Sequence, residues 1–406
     1  MRRLCALWLL CVCAFAQTTQ NPTQGPTISP QVQKPQENLG PLQSFKDAIT
    51  KLFTAKPVHL TAKSIVPGGG FGLGPVYTWN HPAGEWNRTF TADGVASTRA
   101  FWLAEAKLRL THPAFSSSTS AGDSFVVDLY GRTLEMPLLP FYGLGPNTTQ
   151  AGLSDYAERE TVAGVTILNP ITSGFGIGGT VEEMWPQLSR PDRHGVIAAN
   201  DLYSETSAPG LSTQPSFTHL GFFLHPYHRY PFEFDSQIGY HYFHDNKGSG
   251  YSFHRFRADA RYNFYPVFHG GQPHRDNVLS IRGLLETSYA RGPNRVPFYL
   301  DDTLGGSDMQ SQPTLRGFRD FRFRGPDLIL FQTEYDKRLY SALGMMAFYD
   351  TGKVALRAGD LGFGNFRHSF GAGGTVWLEG RVVFRAYVGL GGGEGVHPYF
   401  GIMNVF

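Results

Sequence analysis

The chain is 406 residues long, with 48 glycines, 32 phenylalanines and 19 tyrosines and only 17% charged residues. Glycine and aromatics enriched together, with few charges, suit many short strands joined by tight turns better than helices. Beyond the first residues no run of 18 apolar side chains occurs, which argues against transmembrane helices.

Residues 1–16, MRRLCALWLLCVCAFA, read as a secretory signal peptide: Arg2 and Arg3, an apolar stretch from Leu4 to Val12, then Ala14-Phe15-Ala16 before Gln17. A lipoprotein site at Cys11 or Cys13 is the weaker reading, because small residues do not precede either cysteine. All three cysteines lie in this segment, so the exported chain has neither disulfides nor thiol chemistry. Cleavage removes two of the 35 basic residues and no acid, leaving the remainder balanced against 33 acids. A neutral chain argues against a nucleic-acid partner.

Residues 17–41, QTTQNPTQGPTISPQVQKPQENLGP, bury too little to order themselves and read as a disordered Pro/Gln-rich tether. Over 42–56, Leu42, Phe45, Ile49, Leu52 and Phe53 fall near one face, which predicts a short amphipathic helix.

From about residue 64 the period becomes two. In AFWLAEAKLRL, Trp102, Ala104, Ala106, Leu108 and Leu110 alternate with Glu105, Lys107 and Arg109. In RFRADARYNF, Phe256, Ala258, Ala260, Tyr262 and Phe264 alternate with Arg255, Arg257, Asp259, Arg261 and Asn263. Leu279, Ile281, Leu285 and Tyr289 repeat it against Ser280, Arg282, Glu286 and Ser288. Alternation alone fits a soluble sandwich as well as a membrane barrel. The export signal and the strand lengths favour an all-β, transmembrane antiparallel β-barrel over 64–406, with a wet, charged interior. At roughly 20 residues per strand and turn, that span holds about 16 strands.

Late in the chain, TLRGFRDFRFRGP (314–326) carries four arginines against one acid. It follows VPFYLDDTLGGSDMQSQ and precedes LILFQTEYDKRLY, a strand bearing Glu334, and GMMAFYDTGKV, which ends at Asp350-Thr351-Gly352. The chain closes on Phe406 after PYFGIMNV. LGG, LRGF, an acid-bearing strand, FYDTG and a terminal Phe, in that order, resemble the barrel of the BamA/TamA superfamily, the bacterial surface antigen family. The resemblance covers about 64–406 and is strongest from 296 onward.

That resemblance implies an outer-membrane barrel of a Gram-negative-type bacterium, acting in insertion or translocation of proteins or lipids. The implied partners are outer-membrane lipid, unfolded outer-membrane protein clients and periplasmic or outer-membrane accessory subunits. It implies that the loop tip Leu315, Arg316, Gly317 and Phe318 folds back into the lumen, where Arg316 meets Glu334 and Asp350. A guanidinium fork suits two carboxylates. Phe406 would be the C-terminal sorting signal, although Asn404 departs from the usual pattern. Family members usually carry POTRA domains, whereas the 47 residues from 17 to 63 are too few for one.

VPGGGFGLGPVYTW (66–79) is expected as the first strand, with Gly72 and Gly74 as candidate seam positions, because glycine and Pro75 weaken ladder pairing. A poorly ordered entry into the barrel fits the same residues. A passive, porin-like channel is the alternative function. No enzyme is expected, since no G-x-S-x-G elbow occurs. No cofactor is expected either, because GFGIGG (174–179) lacks a βαβ setting. Metal is not expected: His225, His228, His241 and His244 match no zinc spacing.

Overall fold

The computed structural model describes residues 56–115, 123–228, 233–266, 268–269, 272–273, 276–340, 342–378 and 381–402. The expected signal peptide, tether and Phe406 lie outside the described residues, as does all but the last residue of the expected helix. Among the described residues no helix is long and apolar enough to cross a membrane.

The first ten strands are β1 (Val58–Lys63), β2 (Gly72–Ala83), β3 (Trp86–Ser97), β4 (Trp102–Pro113), β5 (Ser124–Phe141), β6 (Ser154–Thr172), β7 (Phe175–Ser189), β8 (Phe217–His228), β9 (Glu233–Asp245) and β10 (Phe253–Phe264). After the small pair β11 (Phe268–His269) and β12 (Gln272–Pro273) comes β13 (Asn277–Tyr289). A long loop, residues 290–326, carries β14 (Asp302–Leu304) and β15 (Phe323–Gly325). The chain then runs through β16 (Asp327–Tyr340), β17 (Leu343–Ala355), β18 (Arg367–Leu378), β19 (Arg381–Gly391) and β20 (Val396–Ile402). Sixteen of these form one antiparallel up-and-down sheet in the order β1 to β10, β13, β16 to β20. The pairs β11–β12 and β14–β15 stand apart from it. This is a sixteen-stranded barrel.

Burial settles the choice between sandwich and barrel. Phe222 and Tyr240, mid-strand, are 54% and 53% exposed, whereas Glu286 and Asp350 are 1% and 0% exposed. Successive side chains of a strand point to opposite faces. The apolar residues therefore form the outer surface and the charges line the interior, the reverse of a soluble sandwich and the arrangement a lipid solvent demands.

The beginning of the sheet differs from expectation. VHLTAK (58–63) is the first strand, before the expected boundary at 64, and Gly72 and Gly74 lie on the second. The six strand residues, within the nine between Pro57 and the turn-forming Pro67-Gly-Gly-Gly, are too short a run to show a period in the sequence. Gly74 has another role: a Cβ there would overlap the Gly94 carbonyl on β3. Gly74 and Pro75 also drop out of the β2–β3 register, which resumes at Val76↔Asp93.

The loops at one end of the barrel pack into a cap whose core contains Val66, Phe101, Phe141, Tyr156, Leu211, Phe298 and Phe321. A second cluster joins loop residues Leu304, Leu315, Phe318 and Phe323 to inward-facing Leu284, Leu328, Leu330 and Val354 on β13, β16 and β17. This apolar patch in a charged wall is where the loop seats.

A loop tip seated in the barrel

The 290–326 loop turns back at Leu304-Gly305-Gly306. Gly305 and Gly306 have φ of +120° and +54°, a region that glycine reaches without strain. The Gly305 N–H donates to Thr314 Oγ1 at 2.9 Å, and the Gly306 N–H to the Leu315 carbonyl at 2.9 Å. Leu315 to Phe318 then form a tight turn, closed by the Phe318 N–H on the Leu315 carbonyl at 3.0 Å. Gly317 is needed at this turn for space: a Cβ would lie 2.5 Å from the Gly391 nitrogen of β19. Phe318 is buried, edge-on to Phe323 at 5.3 Å between ring centres.

Arg316 stands between the two acids. Its Nε donates to Asp350 Oδ2 at 2.9 Å and one terminal nitrogen to Asp350 Oδ1 at 2.7 Å, a bidentate pair. The other terminal nitrogen reaches Glu334 Oε2. Its backbone N–H adds a bond to Asp350 Oδ2 at 3.1 Å, and its guanidinium lies 3.6 Å from the Phe348 ring centre. Burial works against the charged guanidinium, but the Asp350 hydrogen bonds and the charges of Asp350 and Glu334 outweigh it and hold its pKa above the usual arginine value. Around the pair, Gln332 Nε2 donates to Asp350 Oδ1 at 3.1 Å, Ser369 Oγ to Asp350 Oδ2 at 3.2 Å, and Arg385 pairs with Glu334 at 2.7 Å. The carboxylates are satisfied on every side, as buried charges must be.

Two further arginines of the 314–326 stretch are buried anchors. Arg322 donates to Glu394 Oε1 at 2.7 Å and to the Thr148 hydroxyl and carbonyl at 3.0 and 2.9 Å. Arg324 donates to the Phe298 carbonyl at 3.0 Å, among the rings of Phe141, Tyr156 and Phe298. Arg319 is exposed. The loop is also fastened at its base, where Asp302 meets Arg257, which in turn reaches Glu286 at 2.8 Å. A sequence sign of this seat is LILF (328–331), a continuous apolar run where other strands alternate.

Beneath the tip lies a cavity of about 820 Å³, whose lining includes Arg261, Arg282, Arg316, Glu334, Asp235 and His225. His225 is tied to Asp235 at 2.7 Å, and His219 to Glu182 at 2.7 Å and His241 at 2.9 Å. Among the described residues no group of three or more His, Cys, Asp or Glu side chains is placed to hold a metal.

No family model and no curated protein sequence matches the chain. Solved structures do. A BamA from Haemophilus ducreyi lacking POTRA domains 1–3 aligns with TM-score 0.54 at 12% identity, over 88% of this chain and 76% of that one. CdiB from Escherichia coli aligns with TM-score 0.52 at 12% identity, over 88% and 70%. At such identity the likeness is one of fold. With sixteen meandering strands, this chain has the barrel fold of these BamA and CdiB structures.

Proposed function

We propose that the protein is an outer-membrane barrel of a Gram-negative-type bacterium that inserts or translocates proteins, with unfolded barrel proteins as its clients. It performs no covalent chemistry. The observation that carries this reading is the loop tip held by a bidentate Arg316–Asp350 pair inside a barrel whose strand order begins on a short strand. β1 has six residues, against 11 to 19 for the sheet strands from β2 to β19. A short first strand weakens the seam it borders, and an opened seam offers unpaired backbone groups to an incoming strand. Lipid is the surrounding partner, and periplasmic or outer-membrane subunits supply client capture.

The test uses purified protein in lipid vesicles and the folding rate of a urea-unfolded barrel client. Wild type accelerates folding over empty vesicles, and Arg316→Ala at matched insertion levels does not. If neither differs from empty vesicles, the insertase reading fails. The charged 820 Å³ cavity favours a second reading, a channel. In that case Arg316→Ala raises single-channel conductance in planar bilayers by freeing the lumen.

A further inference from the structure

β20 is the last strand in the sheet order, and its described residues pair with β19, from Phe384↔Ile402 to Leu390↔Val396. What lies against the inner face of this hairpin therefore bears on how firmly it stays in place. That face is occupied by the loop.

The contact is built for backbone. On β19 the inward positions are Arg385, Tyr387, Gly389 and Gly391, while Val388 and Leu390 face out. A Cβ on Gly389 would overlap the Arg316 carbonyl, one on Gly391 would stand 2.7 Å from Phe318 Cε2, and one on Gly392 would run into the same ring. The absent side chains are the space in which Arg316, Gly317 and Phe318 lie. Tyr387 continues the seat: its ring centre is 5.7 Å from the Arg316 guanidinium, 5.2 Å from Phe348 and 4.7 Å from Tyr399 of β20. At the hairpin's own turn, Glu394 accepts from the buried Arg322, whose remaining bonds go to Thr148 on the β5–β6 loop.

We infer that the loop clamps the terminal hairpin β19–β20, through the glycine slot at 389–392 and the Arg322–Glu394 tie, so that release of the loop tip and loosening of β20 are a single event. Gly389, Gly391 and Glu394 are positioning residues in this device. The inference rests on the seam reading above and deepens it: the Arg316 pair fastens the loop to β16 and β17, and the loop in turn fastens the edge strand.

Amide hydrogen exchange on the full chain in lipid nanodiscs tests the coupling without any client. Three peptides are followed: 307–318 in the loop, 396–402 in β20, and 236–243 in β9 as reference. Glu394→Gln keeps shape and removes the charge. Gly391→Val fills the slot. Both are expected to speed exchange in the loop and in β20 together, by about tenfold or more, the scale of a lost charged hydrogen bond. The reference peptide stays unchanged. Faster exchange in the loop with β20 unchanged overturns the inference, and so does no change in either. Retention of the folded, faster-migrating gel band confirms that each variant forms a barrel. Should Gly391→Val fail there, Glu394→Gln, which leaves the backbone space alone, decides the matter. A null client-folding assay with coupled exchange refutes the insertase reading alone, whereas accelerated client folding with uncoupled exchange refutes the clamp alone.

Discussion

Removing the guanidinium of Arg316 leaves Asp350, which is 0% exposed, without its bidentate partner and takes one of two arginines from Glu334. Breaking a buried ion pair by deleting one partner costs about 3–5 kcal/mol. The surroundings place this case toward the lower end. Glu334 keeps Arg385 at 2.7 Å, and Asp350 keeps Gln332, Ser369 and the residue-316 N–H. A loss of about 3 kcal/mol raises the population of the undocked loop by roughly a hundredfold. Proteolysis reads that population directly when opening is fast relative to cleavage. The measurement is the rate at which a non-specific protease added to vesicle-embedded protein cuts within 307–322. Arg316→Met is expected to be cut roughly a hundredfold faster than wild type. Arg316→Lys gives most of the same effect, because an ammonium cannot fork onto two carboxylates. The double variant Arg316→Met/Asp350→Asn recovers part of the loss, since it no longer buries an unpaired charge, so the cycle shows a coupling of at least about 2 kcal/mol. A coupling near zero, or cleavage as slow in Arg316→Met as in wild type, refutes the claim that this pair holds the loop.

Two other outcomes are expected. Burial pushes the Asp308 carboxyl of the loop up to about 6, against the backbone N–H of Gln312; Asp302 adds to the rise, and Arg257 and Arg282 oppose it. The folded value lies above the unfolded one, so this group's contribution to docking is full below about pH 4 and is lost as pH rises through 6. Loop cleavage should therefore be slower at pH 5 than at pH 7.5 in wild type, and Asp308→Asn should flatten that difference; an equal pH response in the variant rules Asp308 out as the cause. On the outer wall, Phe222→Arg places a charge mid-strand on β8, where lipid-facing arginine costs about 2–4 kcal/mol. Urea unfolding from vesicles reads that loss, and an unchanged midpoint shows that this face does not meet lipid.

The barrel was legible because its physics is repetitive. Several strands show the same period, and about sixteen of them fit the available length. Arg316 with Glu334 and Asp350 was legible only through the resemblance, since residues 18 and 34 positions apart have no local signature of contact. What stayed hidden depends on partners that sequence distance conceals. Arg322 carries no local sign of its role because its acceptors, Glu394 and Thr148, lie 72 and 174 residues away. Gly389, Gly391 and Gly392 give no sequence sign of their role, because nothing in a strand's own pattern says that another backbone lies across it. β1 was missed for the opposite reason: six residues give too few alternations to register.

A loop held by charges has a property that one held by apolar packing alone lacks. The net worth of a buried ion pair is small, because desolvation consumes most of the Coulomb attraction, while a mispaired or half-paired state is heavily penalised. Arg316 between Glu334 and Asp350 therefore fixes where the tip sits far more strongly than it resists complete withdrawal, after which all three groups regain water in the lumen. The antiparallel ladders of β2 to β19 carry no such compensation, since their backbone groups find no substitute partners in lipid. The structure thus places reversible contacts at the loop tip and the hairpin under it. The rest of the wall is left with ladders that lipid will not let open.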